Sequence, residues 1–242
     1  MLDVERPETI ENDWNVLYRD YAALYDEWGR IEKNPTAVQA IDQRFPLKGK
    51  RLVDVGSGSG LSTFELAQYA DFVTGVEPED SMRAIAVEEQ RRQGIANVRF
   101  LKGTAENLPL GDRSADVVLA ITMASTHYAR DAAEMERVAK PGGLVLRVDI
   151  SPGWYGGELE PVITGRPRDE TPARGSRDDI IAGLGYDHVD FFTDQDYGTV
   201  ELAVRTYGFI FGKRAIEHIK EHNLTRILWE FRIYHKRIGH RT

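Results

Sequence analysis

Between Ile10 and Ile31 the apolar positions are Ile10, Trp14, Leu17, Tyr18, Tyr21, Leu24, Tyr25, Trp28 and Ile31, in steps of three and four. That spacing predicts one face of an α-helix. Asn34-Pro35 reads as an N-cap followed by a first-turn proline, opening a second helix that ends near Phe45-Pro46. After Lys48-Gly49-Lys50 the pattern changes to short β-rich runs alternating with helical ones. The predicted strands are Arg51–Val55, Phe72–Val76, Val98–Leu101, 116–121 and 144–150. The predicted helices between them are Leu61–Tyr69, a stretch from an Asp80 N-cap to Gly94, and 131–139, which is followed by a turn at Pro141-Gly142-Gly143. Strands alternating with helices predict an α/β fold with a parallel sheet.

Residues 151–175 interrupt this rhythm with Gly, Pro and Arg and no period. A segment of that length predicts a lid, a binding loop or disorder. A helix at 177–184, a strand at 188–193, a helix at 199–222 and a strand at 226–236 complete the chain. The reading is one domain over 1–242. It has N-terminal cap helices (1–48), a core (49–150), a lid (151–175) and the last part of the sheet (176–242).

The strongest chemical signal is Val53-Asp54-Val55-Gly56-Ser57-Gly58-Ser59-Gly60, between a strand and a helix. Glycines allow a tight turn and close approach of a ligand to the backbone. The helix that follows presents free N–H groups and the positive end of its dipole. Glu77 ends the next strand, where a carboxylate can accept hydrogen bonds from two ribose hydroxyls. A nucleotide-like ligand is expected. NAD(P) calls for G-x-G-x-x-G after an apolar strand, whereas this chain has G-x-G-x-G with Asp54 two residues before the first glycine. A carboxylate there repels a pyrophosphate and suits an ammonium group. S-adenosylmethionine combines adenosine, a carboxylate and an amine.

From about Arg51 to Ile150 the chain resembles the class I S-adenosylmethionine-dependent methyltransferases. It is most similar to the small-molecule group that includes the quinone-biosynthesis C-methyltransferases. The matching segments are VDVGSGSG (53–60), GVEPEDSM (75–82), GTAENLP (103–109), ADVVLAI (Ala115–Ile121) and RVAKPGG (137–143). The resemblance implies a Rossmann-like, seven-stranded, mostly parallel sheet with an antiparallel last strand. It implies that Gly56, Ser57, Gly58 and Gly60 cradle the methionine part and that Asp54 serves its amine, directly or through water. By the same resemblance Glu77 holds the ribose, and Pro78 and Met82 flank the adenine. Thr104, Ala105 and Glu106 lie at the adenine amino edge, and Ile121 and Thr122 close the methionine side. Thr104 stands where many relatives carry Asp. Tyr25-Asp26 resembles the Tyr-Asp of a cap helix in this family, which lies over the cofactor.

Other residues suggest a substrate pocket. His127-Tyr128 follows the fourth strand, at the sheet edge where α/β ligands bind. His127 is the side chain suited to moving a proton near neutral pH, although methyl transfer also proceeds by alignment alone. Tyr18, Tyr128, Trp154 and Tyr155 are further pocket candidates, against the alternative that they only pack. The arginines 166, 168, 174 and 177 read either as an anion clamp or as a solvated loop. His218, His222 and His235 lack a spacing that fixes a metal, so no metal site is expected.

Composition narrows the class. Net charge is −8, so nucleic acid is not the expected partner, although residues 213–242 hold eight Lys/Arg against three Glu. Cysteine is absent, which removes disulfides and fits a reducing cytoplasm, the expected location. No apolar run approaches the ~20 residues of a membrane span, and the acidic start is no secretory signal. The expectation is a methyltransferase that uses S-adenosylmethionine, releases S-adenosylhomocysteine and acts on an O, N or C atom of a small molecule, as a monomer or homodimer. Its rivals are a non-catalytic S-adenosylmethionine-binding regulator and an NAD(P)-dependent oxidoreductase.

Overall fold

The computed structural model describes residues 8–11, 13–31, 37–123, 125, 127–154, 156–163 and 176–239. In chain order the elements are α1 (Trp14–Asp20), α2 (Ala22–Ile31), α3 (Ala37–Arg44), β1 (Arg51–Val55), α4 (Leu61–Tyr69), β2 (Phe72–Val76), α5 (Asp80–Gln93), β3 (Val98–Leu101), β4 (Ala115–Ile121) and α6 (Tyr128–Val138). They continue as β5 (Ala139–Ile150), α7 (Glu160–Ile163), α8 (Ser176–Gly183), β6 (Asp187–Asp196), α9 (Val200–Ala203), α10 (Phe209–Phe211), α11 (Lys213–Glu221) and β7 (Arg226–Arg237). The chain divides into two compact units, one drawn from Met1–Asn34, Trp154–Thr171 and Thr193–Trp229, the other from Pro35–Gly153, Pro172–Phe192 and Glu230–Thr242.

Seven strands form one sheet in the order β3-β2-β1-β4-β5-β7-β6. Every pair among β1 to β5 is parallel, and β7 runs antiparallel on β5 from Leu144↔Arg237 to Ile150↔Phe231. This is the mostly parallel α/β sheet with an antiparallel closing strand that the family resemblance implies. Four of the five residues of β1 are buried, as expected for a strand covered on both faces. Val53, Val55, Val118, Ala120 and Val145 join Ala132, Met135 and Val138 of α6 in one core cluster. Those three α6 positions fall at helical spacing. Burying each large apolar side chain contributes about 1.5–3 kcal/mol. The chain leaves β1 towards β2 on one side and returns to β4 on the other. The order therefore reverses between β1 and β4, and ligands of open α/β sheets bind at the carboxyl ends beside such a point.

In the other unit the helical face running from Ile10 to Ile31 is broken. Tyr21 (φ −126°, ψ 30°) caps α1, α2 begins at Ala22, and the Tyr21 ring packs edge-on against Phe209 at 5.4 Å. The single helix expected over 199–222 is also divided. A π turn at Val204–Gly208 joins α9 to α10, and Gly212 (φ 90°, ψ −175°) separates α10 from α11. A hydrophobic period of three and four survives such breaks, so it does not reveal them. The Pro141-Gly142-Gly143 turn lies inside β5 as a register shift, with Ala115 pairing Ala139 while Val117 pairs Leu144. Asn34-Pro35 lies outside the described residues.

Candidate functional site

The carboxyl edge of β1 and β2 gathers the acidic and glycine positions singled out in the sequence. The turn after β1 is bound to the tip of β2, with Gly56 N and Ser57 N donating to the Val76 carbonyl at 2.8 and 3.1 Å. Gly56 has φ +73°, and a Cβ there would stand 2.7 Å from Met123 Cγ, so only glycine fits. Gly58 N donates to Glu77 Oε2 at 2.8 Å, and Glu79 N donates to Oε1 at 2.9 Å. Glu77 thereby reaches from the end of β2 to the glycine turn. An ionised carboxylate has about four acceptor positions, which leaves capacity for further donors. Burial raises its pKa, and the two backbone N–H groups only partly offset this.

Asp54 is 1% exposed, and its Oδ2 accepts the Thr63 hydroxyl of α4 at 2.6 Å. Burial raises its pKa to about 6, against the Thr63 hydrogen bond and with help from the charge of Glu77. The hydroxyls of Ser57 and Ser59 are buried without a hydrogen-bond partner. This edge therefore holds two buried carboxylates side by side and two orphaned hydroxyls. Such groups call for a ligand bearing positive charge and hydrogen-bonding atoms.

Met82 is buried in the first turns of α5, while Pro78 is exposed. Thr104 and Asn107 close a tight turn, with Asn107 N donating to Thr104 O at 3.2 Å, which carries Ala105 and Glu106. Ile121 ends β4. Thr122 has φ 49°, a conformation that is strained for a β-branched residue. Its N–H donates to Val148 O at 2.8 Å, which keeps this bend tied to β5.

His127 precedes α6, and its N–H donates to Ser125 Oγ at 3.0 Å. Its Nδ1 lies 3.1 Å from Glu106 Oε1, with the imidazole half exposed. Glu106, expected at the adenine edge, is thus placed against the histidine. Tyr128 lies under the Arg147 guanidinium, 4.7 Å from its ring centre. Arg147 is 6% exposed. It contacts Asp149 at 2.6 Å, Asp131 at 3.4 Å and the Met123 carbonyl at 3.2 Å. This buried cluster holds the loop after β4 from behind, and the sequence reading contains no sign of it. Thr63, Met123 and the Glu106–His127 pair were missed in the same way. A threonine in the first turn of the helix after the glycine cluster was the one available hint.

Tyr18 and Tyr25 meet edge-on at 5.2 Å within the unit that holds α1 and α2. In that same unit Trp154 stacks on Trp229 at 4.1 Å and donates its indole N–H to Leu228 O at 2.7 Å. Tyr155 lies outside the described residues, as do arginines 166, 168 and 174. His218 Nε2 lies 2.8 Å from Glu158 O, and the described residues contain no cluster of three or more metal-ligating side chains. No helix among them is long and apolar enough to cross a membrane.

Residues 53–147 match the family described as methyltransferase domain. The phthiotriol/phenolphthiotriol dimycocerosates methyltransferase 1 of Mycobacterium ulcerans is 34% identical over 142 residues, covering 57% of this chain and 51% of the relative. A ubiquinone biosynthesis O-methyltransferase of Pseudomonas fluorescens is 30% identical over 148 residues, 60% of each chain. The chain spans about half the length of the mycobacterial relatives it matches. The crystal structure of the YcgJ protein of Bacillus subtilis shares the fold with a TM-score of 0.62 at 17% identity, covering 84% of this chain and 98% of that one.

Proposed function

We propose, from the match of residues 53–147 to a methyltransferase domain, that the chain is a class I S-adenosylmethionine-dependent methyltransferase and methylates a hydroxyl oxygen of a small molecule. The observation that carries the cofactor reading is the pair of buried carboxylates, Asp54 and Glu77, on either side of a glycine turn whose serine hydroxyls have no partner. The residues fit the group. Asp54 sits where an ammonium group completes its charge, and Glu77 keeps free acceptor positions for ribose hydroxyls. Ser57 and Ser59 supply unpaired hydroxyls, and the family resemblance assigns Met82, Pro78 and the 104–106 turn to the adenine. Two buried negative charges oppose a pyrophosphate, which speaks against NAD(P) at the same edge.

S-adenosylmethionine, when bound, supplies a methyl group on a sulfonium centre. This chain's own residues prepare the acceptor. Glu106 accepts from His127 Nδ1–H and so leaves Nε2 as the basic nitrogen. Nε2 would take the proton of a hydroxyl acceptor as its oxygen is alkylated by the methyl group that the bound cofactor would supply, its electron pair being left on the departing sulfur. A proton-accepting histidine is most useful for an alcohol or phenol, whose oxygen gains nucleophilicity by losing its proton. The name of the ubiquinone biosynthesis relative, an O-methyltransferase, supports the same acceptor.

The test is thermal unfolding with S-adenosylmethionine, S-adenosylhomocysteine, NAD and NADP, followed by a screen of alcohols and phenols for S-adenosylhomocysteine formation. A ligand at a hundred times its dissociation constant adds about 2.7 kcal/mol. We expect a shift with the two sulfur ligands and turnover with a hydroxyl acceptor. A shift with the nicotinamides alone would overturn the cofactor. Turnover confined to amines or carbon acids would overturn the oxygen assignment.

A further inference from the structure

A cleft of about 450 Å3 opens at the edge of the sheet away from the glycine turn, where β1, β4 and β5 begin and β7 ends. Its charge is at odds with a chain of net −8. Arg44 from the end of α3, Lys50 before β1, Lys140 in β5 and Arg237 at the end of β7 all line it, with Asp116 as the lone acidic residue. The Leu144↔Arg237 pair in the sheet register holds the end of β7 at the start of the regular part of β5.

Asp116 pairs directly with only one of these cations. Its Oδ1 pairs with Lys140 Nζ at 2.8 Å, and its Oδ2 accepts the Arg51 backbone N–H at 2.9 Å. Burial pushes its carboxyl up, yet the Lys140 and Arg51 hydrogen bonds and the charges of Lys140 and Lys50 together hold it below the usual range. The local field is therefore positive. Arg44 donates one N–H to Ala40 O at 3.1 Å, and Arg237 donates one to Gly142 O at 2.9 Å. Each guanidinium has five N–H donors, so these anchors orient the planar heads and leave donors for a ligand. Phe45 and Pro46 add an apolar wall. The volume lies in the range of small-molecule sites.

We propose that this cleft binds a diphosphate-bearing organic anion, with Arg44, Lys50 and Arg237 on the phosphates and the organic body against Phe45. Guanidinium groups recognise phosphate oxygens in pairs, and an anion here would neutralise cations that the fold itself leaves in excess. The site lies on the opposite edge of the sheet from Asp54 and Glu77, so the two ligands bind independently of one another.

The test is isothermal titration of the full chain with ADP and with inorganic pyrophosphate, at about 50 mM salt to limit screening. S-adenosylhomocysteine is present at saturation to block the glycine-turn site. We expect one site, with ADP tighter than pyrophosphate. The double variant Lys50→Glu/Arg237→Glu should weaken both at least tenfold while S-adenosylhomocysteine affinity stays within twofold. Lys50→Gln/Arg237→Gln, which removes charge without reversing it, should fall between. No binding in the presence of S-adenosylhomocysteine, or equal affinity in wild type and variants, would overturn the site. Pyrophosphate binding as tightly as ADP would overturn the role given to Phe45.

Discussion

Lowering the pH from 7.5 to 5 should weaken cofactor binding through Asp54. In the free protein burial puts its pKa at about 6. With that value the ionised fraction is ~0.97 at pH 7.5 and ~0.09 at pH 5. A cofactor ammonium group favours the ionised form. The dissociation constant for S-adenosylhomocysteine should then rise about tenfold across this range, or about 1.4 kcal/mol. Glu77, also raised by burial, acts in the same direction and can only steepen the profile. Isothermal titration at pH 5, 6 and 7.5, at constant ionic strength, reads this directly. Asp54→Asn should bind more weakly than wild type at pH 7.5 and show a flatter profile. The sign for stability is opposite. The folded pKa lies above the unfolded one, so the stabilisation from the neutral acid is complete below about pH 4 and is lost as pH rises through about 6. Without cofactor, Asp54→Asn should therefore be more stable than wild type at pH 7.5, by at most about 3 kcal/mol, and this gap should close towards pH 4. An affinity that stays level between pH 5 and 7.5, or that rises on acidification, would refute the assignment of Asp54 to the amine.

Other substitutions probe separate parts of the site. Glu77→Ala removes the acceptor for Gly58 and Glu79 N–H and should weaken S-adenosylhomocysteine binding by about 1–3 kcal/mol in the same titration. His127→Asn should lower turnover on a hydroxyl acceptor by about 10²–10⁴, with cofactor affinity within twofold of wild type. Turnover at the wild-type level would remove His127 as the base. Arg147→Met leaves Asp131 buried without its cation and Asp149 with only the more distant Arg177 at 3.9 Å, and should cost about 3–5 kcal/mol, seen as a fall in the unfolding midpoint of roughly 6–20 °C. An unchanged midpoint would mean that the cluster carries no net stabilisation.

The parts of this protein legible in its sequence are those fixed by local chemistry. β1, β2, β3 and α4 fall at their expected residues, because each is an apolar run or helical face bounded by glycine, a polar residue or a turn. The Gly56–Gly60 turn and the strand-end position of Glu77 follow from the same signals. What the sequence left open depends on pairs distant along the chain. Asp54 and Thr63 meet across a strand–helix turn, Glu106 and His127 across the whole of β4, and Met123 covers a glycine 67 residues before it. The breaks at Tyr21 and Gly212 escape a periodic reading because the apolar spacing continues through them, while the backbone bends. The Arg147 cluster and the cationic cleft share the same cause. Each brings together side chains from separate elements that are individually ordinary. Local hydrophobic period and turn chemistry select the elements, but which charges end up buried beside each other is decided by the order and register of the strands that carry them.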